Sequence, residues 1–448
     1  MAAEKVIQFG EGGFLRGFVD YFLQKLNEKG LFEGKVVIVQ PLAKGMCDML
    51  MQQDCTYNLI LRGIEGGQVV NERTKIDVIS RCVNPYEEFD AYMELAKNPD
   101  FRFIVSNTTE AGIEYLGTEK PDDRPAKSYP AKLTQLLYAR FQENLPGFIL
   151  LPCELIDKNA DALKECVLKY AKLWNLGEDF ENWIQTENDF CNTLVDRIVT
   201  GYPKDEVEKL WDEIGYQDHL LDTAEIFHLW VIGGHHEEEL PLQKAGFHVV
   251  WTDDVAPYKR RKVRILNGGH TSMVLGASLY GLKTVGECLK DELVSSFLKK
   301  CIFDEIIPTL GNTRTDIDFG NAVLERFSNP FIKHMLLSIA LNSVSKFQVR
   351  VLPTILEYHE KFGTYPSALT FSLAALIAFY RTDKANDNEE IKQYMKDAPV
   401  SEILQRADYW GCDLTDLLPL VQKYYNLISN DGMKQAYRFV LNEGKDAR

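Results

Sequence analysis

The sequence predicts an α/β N-terminal domain with a doubly wound parallel sheet, residues 1–257, followed by a mainly α-helical C-terminal domain, residues 258–448. Three observations support this fold class. Short apolar runs alternate with helical patterns in the first half, a glycine-rich turn follows the first run, and helical periodicity dominates after residue 258. Because no Gly/Ser linker separates the two parts, we expect them to pack closely.

The strand candidates are apolar runs bounded by turn residues. They are residues 6–9, 35–39, 57–63, 101–107, 147–155, 226–234 and 247–254. A helix is predicted directly after the first run, since Phe14, Phe18 and Phe22 are four residues apart. Further helices are predicted over 130–141, over most of 155–224, and from Lys259 onward.

Charge and composition exclude several classes of partner. The net charge is −16 and the isoelectric point is about 5.1, which argues against nucleic acid or an anionic membrane as the main partner. The longest apolar stretch, near residues 373–379, is too short to span a bilayer, and the N-terminus has no signal-peptide pattern. Nine scattered cysteines indicate a reducing compartment, so a cytoplasmic location is expected. The sequence leaves the oligomeric state open.

The glycine-rich stretch QFGEGGFLRG lies between the first predicted strand and its helix. Glycines at such a turn let backbone N–H groups approach a pyrophosphate at a helix N-terminus, as in Rossmann-like domains. The alternative interpretation is a tight structural turn. The residues predicted to bind a dinucleotide here are Phe9, Gly10, Glu11, Gly12, Gly13 and Phe14.

Two further positions are expected to contact the cofactor. Gln40 follows the second strand, where an acidic ribose ligand is usual, and a neutral amide leaves NAD(H) and NADP(H) both open. Asn107 and Thr108 follow a later strand, where a nicotinamide lies in doubly wound sheets.

Lys262, Asn267 and His270 form the candidate catalytic group. At about 100° per residue they lie on one broad face of a helix starting near residue 259. A lysine in a cleft can act as acid or base if burial lowers its pKa, and Asn267 and His270 can donate to a developing alkoxide. Gly268 and Gly269 are expected where a substrate oxygen comes close. The alternative is a solvated basic helix start with a buried polar pair.

These residues, spaced Lys-x4-Asn-x2-His, resemble the catalytic signature of the polyol-specific long-chain dehydrogenases, the mannitol dehydrogenase family. GEGGFLRGF at 10–18, TLVDRIV at 193–199, FHLWVI at 227–232 and residues 325–353 are similar to segments of that family in the same order. The resemblance implies an NAD-dependent reductase with Lys262 as general acid/base, Asn267 and His270 as the oxyanion site, and no metal.

Segments such as SYPAKLTQLL at 128–137 and LTFSLAALIAFYR at 369–381 are similar to family members that act on keto-sugar acids. The implied reaction is the reversible reduction of D-tagaturonate to D-altronate in hexuronate breakdown. Two positions depart from the mannitol-type pattern. Leu155 stands where an asparagine follows Cys153-Glu154, and Lys259 replaces an acidic residue, which suits a carboxylated sugar.

The carboxylate of such a substrate needs a cation. Lys346 and Arg350, spaced i,i+4, could face it together, and His334 and Tyr258 are further candidates for the substrate pocket. A surface pair on a helix is the alternative for the two cations. His235 and His236 are interpreted as a solvated loop, and no metal site is expected.

Three alternatives to this function remain open. The chain could act on fructuronate/mannonate or on mannitol, it could be a non-catalytic nucleotide sensor, or it could be a helical scaffold without a cofactor. The leading interpretation places the active site between the two domains.

Overall fold

The computed structural model describes residues 2–109 and 111–443. The chain divides into two compact units, Met1–Ala256 and Pro257–Arg448. Residues 1 and 110 of the first predicted domain and residues 444–448 of the second lie outside the described residues. The predicted fold class is confirmed, because the first unit contains a parallel sheet with flanking helices and the second is helical.

The strands of the first unit belong to three sheets. They are β1 (Ala3–Phe9), β2 (Gly34–Val39), β3 (Tyr57–Glu65), β4 (Gln68–Ile76), β5 (Ile79–Val83), β6 (Phe103–Ser106), β7 (Ile149–Pro152), β8 (Asp189–Phe190), β9 (Thr193–Asp196), β10 (Asp222–Glu225), β11 (Leu229–Gly233) and β12 (Val249–Thr252). The α-helices of this unit are α1 (Gly13–Arg16), α2 (Val19–Glu28), α3 (Cys47–Gln52), α4 (Phe89–Glu94), α5 (Tyr129–Gln142), α6 (Asn159–Leu173), α7 (Glu178–Thr186) and α8 (Val207–Ile214).

The main sheet has the order β5-β2-β1-β6-β7-β8, and all its strands are parallel. The chain runs outward from β1 through β2 to β5 and then returns to β6 on the other side of β1. In register, Ile7 pairs with Val37 of β2 and with Ile104 of β6. The order of the strands therefore reverses between β1 and β6, and ligands of doubly wound sheets bind at the carboxyl ends beside such a switch point.

Both faces of the main sheet are covered, as expected for buried parallel strands. Phe18 and Phe22 of α2 lie in one apolar core, and Trp230 of β11 packs on Phe18 with the ring centroids 5.5 Å apart. On the opposite face, Tyr129 and Leu133 of α5 lie in the other core. The phenylalanine spacing seen in the sequence thus matches the face of α2 that packs inward.

Several strand and helix boundaries differ from the sequence-based expectation. Residues 57–63 form a strand, but β3 pairs with β4 and β10 in a separate sheet rather than joining the main one. The stretch 155–224, predicted to be mainly helical, also contains β8, β9 and β10. Strands β8, β9 and β10 have only two to four residues each, which is too short for a clear apolar pattern. Strand β4 is largely exposed and carries charged side chains, so it also lacks an apolar run.

The second unit is built from helices. They are α9 (Ala256–Lys262, which begins one residue before the boundary), α10 (Gly268–Tyr280), α11 (Val285–Lys290), α12 (Glu292–Lys299), α13 (Ile307–Leu310), α14 (Arg314–Phe327), α15 (Leu336–Ile339), α16 (Ser343–Arg350), α17 (Leu352–Phe362), α18 (Ser367–Tyr380), α19 (Glu389–Asp397), α20 (Val400–Leu404), α21 (Ala407–Trp410) and α22 (Leu418–Asn442). Two π-helical segments, Val263–Asn267 and Lys300–Ile306, connect α9 to α10 and α12 to α13.

Helix α18 lies at the centre of this unit. Every residue from Ala368 to Tyr380 is buried, so the helix is apolar on all sides and is surrounded by other helices. It packs against α22 and α10. Within the described residues, no helix combines the length and the apolar character that crossing a bilayer requires.

Candidate active site

The turn between β1 and α1 contains the glycines of the sequence motif. Gly10 has a φ of +122°, and a Cβ on it would lie 3.1 Å from the carbonyl oxygen of Asn107, so a side chain is not accommodated there. Gly12 is exposed, and a Cβ there would meet no atom within 4 Å. The space beside Gly12 therefore adjoins the first N–H groups of α1, which have no partner within the helix.

The other predicted residues of the turn differ in what they present to this space. Phe9 is buried, and its ring packs on Tyr129 with centroids 4.9 Å apart, so its backbone alone can take part in binding. The Glu11 side chain is also buried, and its carboxylate accepts from the Met46 N–H at 3.3 Å. Phe14 is half-buried and stacks on a neighbouring phenylalanine ring of the next helical turn.

A buried group of charged residues, not found by the sequence analysis, lies beneath the turn. Arg16 donates from Nε to the Glu11 carbonyl at 3.1 Å, and its Nη2 lies 3.9 Å from Oδ2 of Asp222. Tyr57 donates to Asp20 at 3.3 Å. Burial raises the pKa of Asp20 to about 7 and that of Asp222 to about 6. The sequence signal for this group was the presence of two charged residues, Arg16 and Asp20, within the apolar helix pattern of GGFLRGFVDYFLQKL.

The structure uses the Gln40 amide to shape the loop between β2 and α3. Nε2 donates to the Leu42 carbonyl at 2.8 Å, and Oε1 accepts from the Cys47 N–H at 3.1 Å. Gln40 is 3% exposed, and a Cβ on Gly45 would lie 2.4 Å from its Cδ. A direct contact of Gln40 with a ribose stays a prediction, and its observed contacts give it a role in positioning the loop.

The loop after β6 is fixed by one carboxylate. Glu154 Oε1 accepts from the Thr108 N–H at 2.9 Å and from its hydroxyl at 3.0 Å, while Oε2 accepts from the Ser106 hydroxyl at 3.1 Å. Asn107 donates to the Cys153 carbonyl at 2.9 Å. Burial raises the pKa of Glu154. Asn107 and Thr108 are therefore held at the switch point, beside Gly10, as the sequence analysis places them.

In the second unit, a π-helical segment separates Lys262 from Asn267. Lys262 ends α9, the π segment covers Val263–Asn267, and α10 begins at Gly268. The angles expected for an uninterrupted α-helix are wrong across this segment, because a π turn contains more residues. Lys262, Asn267 and His270 nevertheless all occupy half-buried positions, whereas most residues between them are buried. π turns occur frequently at functional sites.

His270 has the most unusual surroundings of the three residues. Its ring stacks on Phe327 with the centroids 3.8 Å apart, and His334 meets it edge-on at 5.3 Å. Burial lowers the pKa of His270 well below its ordinary value, and the charges of His334, Arg326 and Arg350 lower it further. Among the described residues, no hydrogen-bond partner reaches its buried Nε2. His270 is thus a neutral imidazole with an unsatisfied nitrogen.

The two glycines after Asn267 make room for the protein itself. A Cβ on Gly268 would lie 3.0 Å from the carbonyl oxygen of Arg350, and one on Gly269 would lie 3.3 Å from the Ile302 side chain. The expectation that these glycines admit a substrate oxygen is therefore wrong, because helix packing already requires the absence of both side chains.

The arginines near Lys262 form ion pairs within the second unit. Arg260 and Arg264 both bind Glu357, at 2.7 and 2.9 Å, and Arg261 binds Asp316 at 2.7 Å. The basic cluster thus ties α9 and the π segment to α17 and α14, rather than forming only a solvated face.

The predicted substrate-binding residues have different local contacts. Arg350 is half-buried, its charge acts on His270, and no described side chain forms an ion pair with it. Lys346 instead donates to the Ile339 carbonyl at 2.9 Å. Tyr258 lies under the Arg261 guanidinium, with 5.5 Å to the ring centroid. The structure therefore brings His270, His334 and Arg350 together, and Arg326 and Phe327, which sequence reasoning missed, complete this histidine–arginine cluster.

Two family models match this chain. The mannitol dehydrogenase Rossmann domain matches residues 4–244, and the mannitol dehydrogenase C-terminal domain matches residues 254–431. The chain belongs to the mannitol dehydrogenase family. The family resemblance drawn from Lys262, Asn267 and His270 is therefore confirmed.

The curated relatives of this chain include altronate oxidoreductases. Those of Escherichia coli O7:K1 (strain IAI39 / ExPEC) and Shigella flexneri are each 46% identical to it over 465 residues, covering 97% of this chain and 96% of the relative.

Two solved structures share its fold. A substrate-free D-sorbitol dehydrogenase superposes with a TM-score of 0.86 at 22% identity, covering 97% of this chain and 95% of the other. The Pseudomonas fluorescens mannitol 2-dehydrogenase, in a ternary complex with NAD and D-mannitol, superposes with a TM-score of 0.73 at 21% identity. The match covers 99% of this chain and 95% of the other.

Proposed function

We propose that this chain is an NAD(H)-dependent oxidoreductase that interconverts D-tagaturonate and D-altronate. Its relationship to altronate oxidoreductases, at 46% identity over nearly the full length of both chains, supports the substrate pair. The single structural observation that carries the proposal is the histidine–arginine cluster, where a neutral His270 lies beside Arg350 and His334. Such a cluster suits a substrate that presents both a reacting oxygen and a carboxylate.

The glycine turn supports dinucleotide binding. Gly12 is exposed and offers space beside the start of α1, where a pyrophosphate can approach the backbone N–H groups. Asn107 and Thr108 lie at the switch point next to Gly10, where the nicotinamide end belongs. NADH supplies the hydride when bound. NADP(H) is compatible with the same turn, because Gln40 is neutral and does not repel a 2′-phosphate.

The proton is assigned to Lys262. Because His270 stays neutral near pH 7, its imidazole can donate a hydrogen bond to the substrate oxygen but is not a reservoir of a second proton. The Lys262 ammonium then delivers the proton to the ketone oxygen during reduction, and its amine removes it during oxidation. Asn267 and His270 donate hydrogen bonds to the oxygen as negative charge develops on it.

The substrate carboxylate is assigned to Arg350. A guanidinium can bind a carboxylate through two parallel hydrogen bonds, and the Arg350 side chain is half-buried, which strengthens such contacts. His334 is placed to add a polar contact on the same side of His270. Lys346 contributes positive charge nearby while its ammonium remains bound to the Ile339 carbonyl.

The test is a comparison of substrates. We expect NADH oxidation, followed by absorbance, to be fastest with D-tagaturonate, slower with D-fructuronate, and negligible with D-fructose. Turnover of fructuronate with an inert tagaturonate would show the mannonate-type alternative to be correct. Cofactor binding without turnover of any of the three would instead identify a nucleotide sensor, and no cofactor binding at all would identify a scaffold.

A further inference from the structure

A second group of polar side chains lies in the first unit, away from the glycine turn in sequence. Asp189 belongs to β8, Cys191 follows that strand, and His236 lies in the loop after β11. Nε2 of His236 lies 2.6 Å from Oδ2 of Asp189. One potential ligand atom from each of the three residues lies within 4.8 Å of the others, and within residues 2–109 and 111–443 this is the one group of three that meets this spacing.

We propose that Asp189, Cys191 and His236 form a binding site for one divalent cation of the zinc type, with water as the fourth ligand. Carboxylate oxygen, thiolate sulfur and imidazole nitrogen are the ligands that zinc prefers, at about 2.0 to 2.3 Å. A tetrahedral ion holds such ligands roughly 3.3 to 3.8 Å apart. The Asp189–His236 pair, now at 2.6 Å, needs to open by less than about 1 Å to admit an ion.

The orientation of His236 favours this site. Its Nδ1 lies 3.6 Å from Oε1 of Glu239, and Glu239 is itself fixed by Arg102, which donates from Nε at 2.7 Å and from Nη2 at 3.0 Å. Nε2 is now bonded to Asp189, so an ion must displace that bond in order to bind His236. Glu239 then faces Nδ1, as a carboxylate partner of a metal-binding histidine does. The arrangement supplies the outer contact that metal-binding histidines need.

The loop that carries His236 turns back over the thiol. Gly234 has a φ of +115°, a conformation that favours glycine, and a Cβ there would lie 3.4 Å from Sγ of Cys191. The thiol is buried, whereas Asp189 is exposed and gives an ion access from solvent. The neighbouring His235 lies outside this group, since its Nε2 binds Asp253 at 2.9 Å.

The thiol sets the conditions for binding. Zinc binds the thiolate and not the thiol, so a cation must displace the Cys191 proton, and binding weakens as the pH falls. The bound ion would link β8, at the edge of the main sheet, to the loop after β11, and the expected role is structural. The sequence analysis expected no metal site here, since His236 lies 45 or more positions from Asp189 and Cys191 and the three residues form no recognisable motif.

The test uses tag-free protein stripped with a chelator and titrated with Co²⁺, which reports thiolate ligation by a charge-transfer band. We expect one equivalent of Co²⁺ to produce the band, Zn²⁺ to displace it, and Zn²⁺ to raise the melting temperature. Cys191→Ser and His236→Gln should abolish the band. Cys166→Ser, also a buried thiol of this unit, and His235→Gln, the adjacent histidine, should retain it.

Two results would overturn the proposal. One is the absence of stoichiometric binding by the wild-type chain. The other is a band that survives Cys191→Ser or His236→Gln. If Cys191→Ser does not fold, Asp189→Asn provides the test, because this exposed position tolerates an amide. Asp189→Asn should keep the band and weaken Co²⁺ affinity at least tenfold, and an unchanged affinity would refute the three-ligand site. Turnover of a sugar acid enters none of these measurements, so the metal proposal and the proposed function fail independently.

Discussion

The His270 imidazole stacks face to face on the Phe327 ring, with the centroids 3.8 Å apart and the planes 5° from parallel. This contact fixes the plane of the imidazole and excludes water from one of its faces. His334 then restricts the ring edge-on. A hydrogen-bond donor that is held in this way needs little reorganisation when charge develops on a substrate oxygen.

Loss of the stacking ring should reduce the rate of the chemical step. We expect Phe327→Leu to lower kcat about tenfold while KM for D-tagaturonate changes less than about twofold, because a misplaced donor mainly costs transition-state stabilisation. Steady-state kinetics measures both constants. Phe362→Leu, at an exposed phenylalanine, is the control and should leave kcat unchanged. An unaltered kcat in Phe327→Leu would contradict the role of the stack.

Removal of the proposed acid/base should separate binding from turnover. We expect Lys262→Met to lower kcat by about 10² to 10⁴, since general acid–base groups contribute factors of that size. NADH binding, measured by its fluorescence, should remain within about threefold of wild type, because no cofactor contact is assigned to Lys262. Lys361→Met, at an exposed lysine of α17, serves as the matched control. Full turnover in Lys262→Met would exclude Lys262 as the proton donor.

Arg350 should decide between acidic and neutral substrates. A hydrogen bond to a charged group contributes about 1.5–3 kcal/mol, so Arg350→Gln should raise KM for D-tagaturonate by about 10- to 150-fold. Residual activity toward a neutral ketose should change much less, because that ketose has no carboxylate. Arg314→Gln, an exposed arginine that pairs with Asp318, is the control. Equal losses for acidic and neutral substrates would place the carboxylate elsewhere.

The space beside Gly12 should be needed for the cofactor and not for folding. Gly12 has φ −68° and ψ 164°, a conformation that valine adopts readily, and its Cβ position is open. We therefore expect Gly12→Val to fold normally and to weaken NADH binding at least tenfold, or about 1.4 kcal/mol. Gly286→Val provides the control, because a Cβ at Gly286 also meets no atom within 4 Å. Unchanged NADH affinity in Gly12→Val would rule out this turn as the pyrophosphate site.

The buried Asp20 should make stability depend on pH. Its pKa rises from 3.8 to about 7 in the folded chain, so the folded state holds a proton that the unfolded state has already lost. The stabilisation from this bound proton is complete below pH 3.8 and is lost as the pH rises through the pKa of Asp20 in the folded chain. Asp20→Asn removes this loss. The difference in unfolding free energy between Asp20→Asn and wild type should therefore increase by about 2 kcal/mol from about pH 5.5 to about pH 8. Up to pH 7 the increase is about 1.4 kcal/mol per pH unit.

Urea unfolding at the two pH values measures this difference. Asp48→Asn, at an exposed aspartate of α3, should show the same stability difference from wild type at both values. A gain for Asp20→Asn that does not depend on pH would mean that Asp20 is ionised in the folded chain at both values.

Much of the fold could be predicted because its signals are local. The apolar run ending at Phe9, the glycines that follow it, and the four-residue spacing of Phe14, Phe18 and Phe22 each specify a structure within one segment. The strands that escaped prediction are those whose stability comes from distant partners. Asp189 and Phe190, for example, form a strand only because they pair with Ile149 and Leu150 of β7.

The candidate site shows the same division between features specified by a local stretch of sequence and features that depend on distant residues. The spacing of Lys262, Asn267 and His270, together with the segments at 10–18, 193–199, 227–232 and 325–353, was sufficient to indicate the family, since these are properties of the chain itself. The π segment between Lys262 and Asn267, the protein atoms that fill the space at Gly268 and Gly269, and the Gln40 contacts that shape the loop after β2 were not predictable. Each depends on atoms that are far away in the sequence.

The sequence by itself therefore determined the fold class, the family, the glycine turn and the identity of the catalytic candidates. Tertiary structure alone decided that His270 is neutral, because Arg326 and Phe327 come from α14, Arg350 from α16 and His334 from the segment between α14 and α15. It also decided that His236 meets Asp189 and Cys191. Burial and electrostatic potential are sums over neighbours in space, and folding brings those neighbours together from residues that are 45 or more positions apart in these cases.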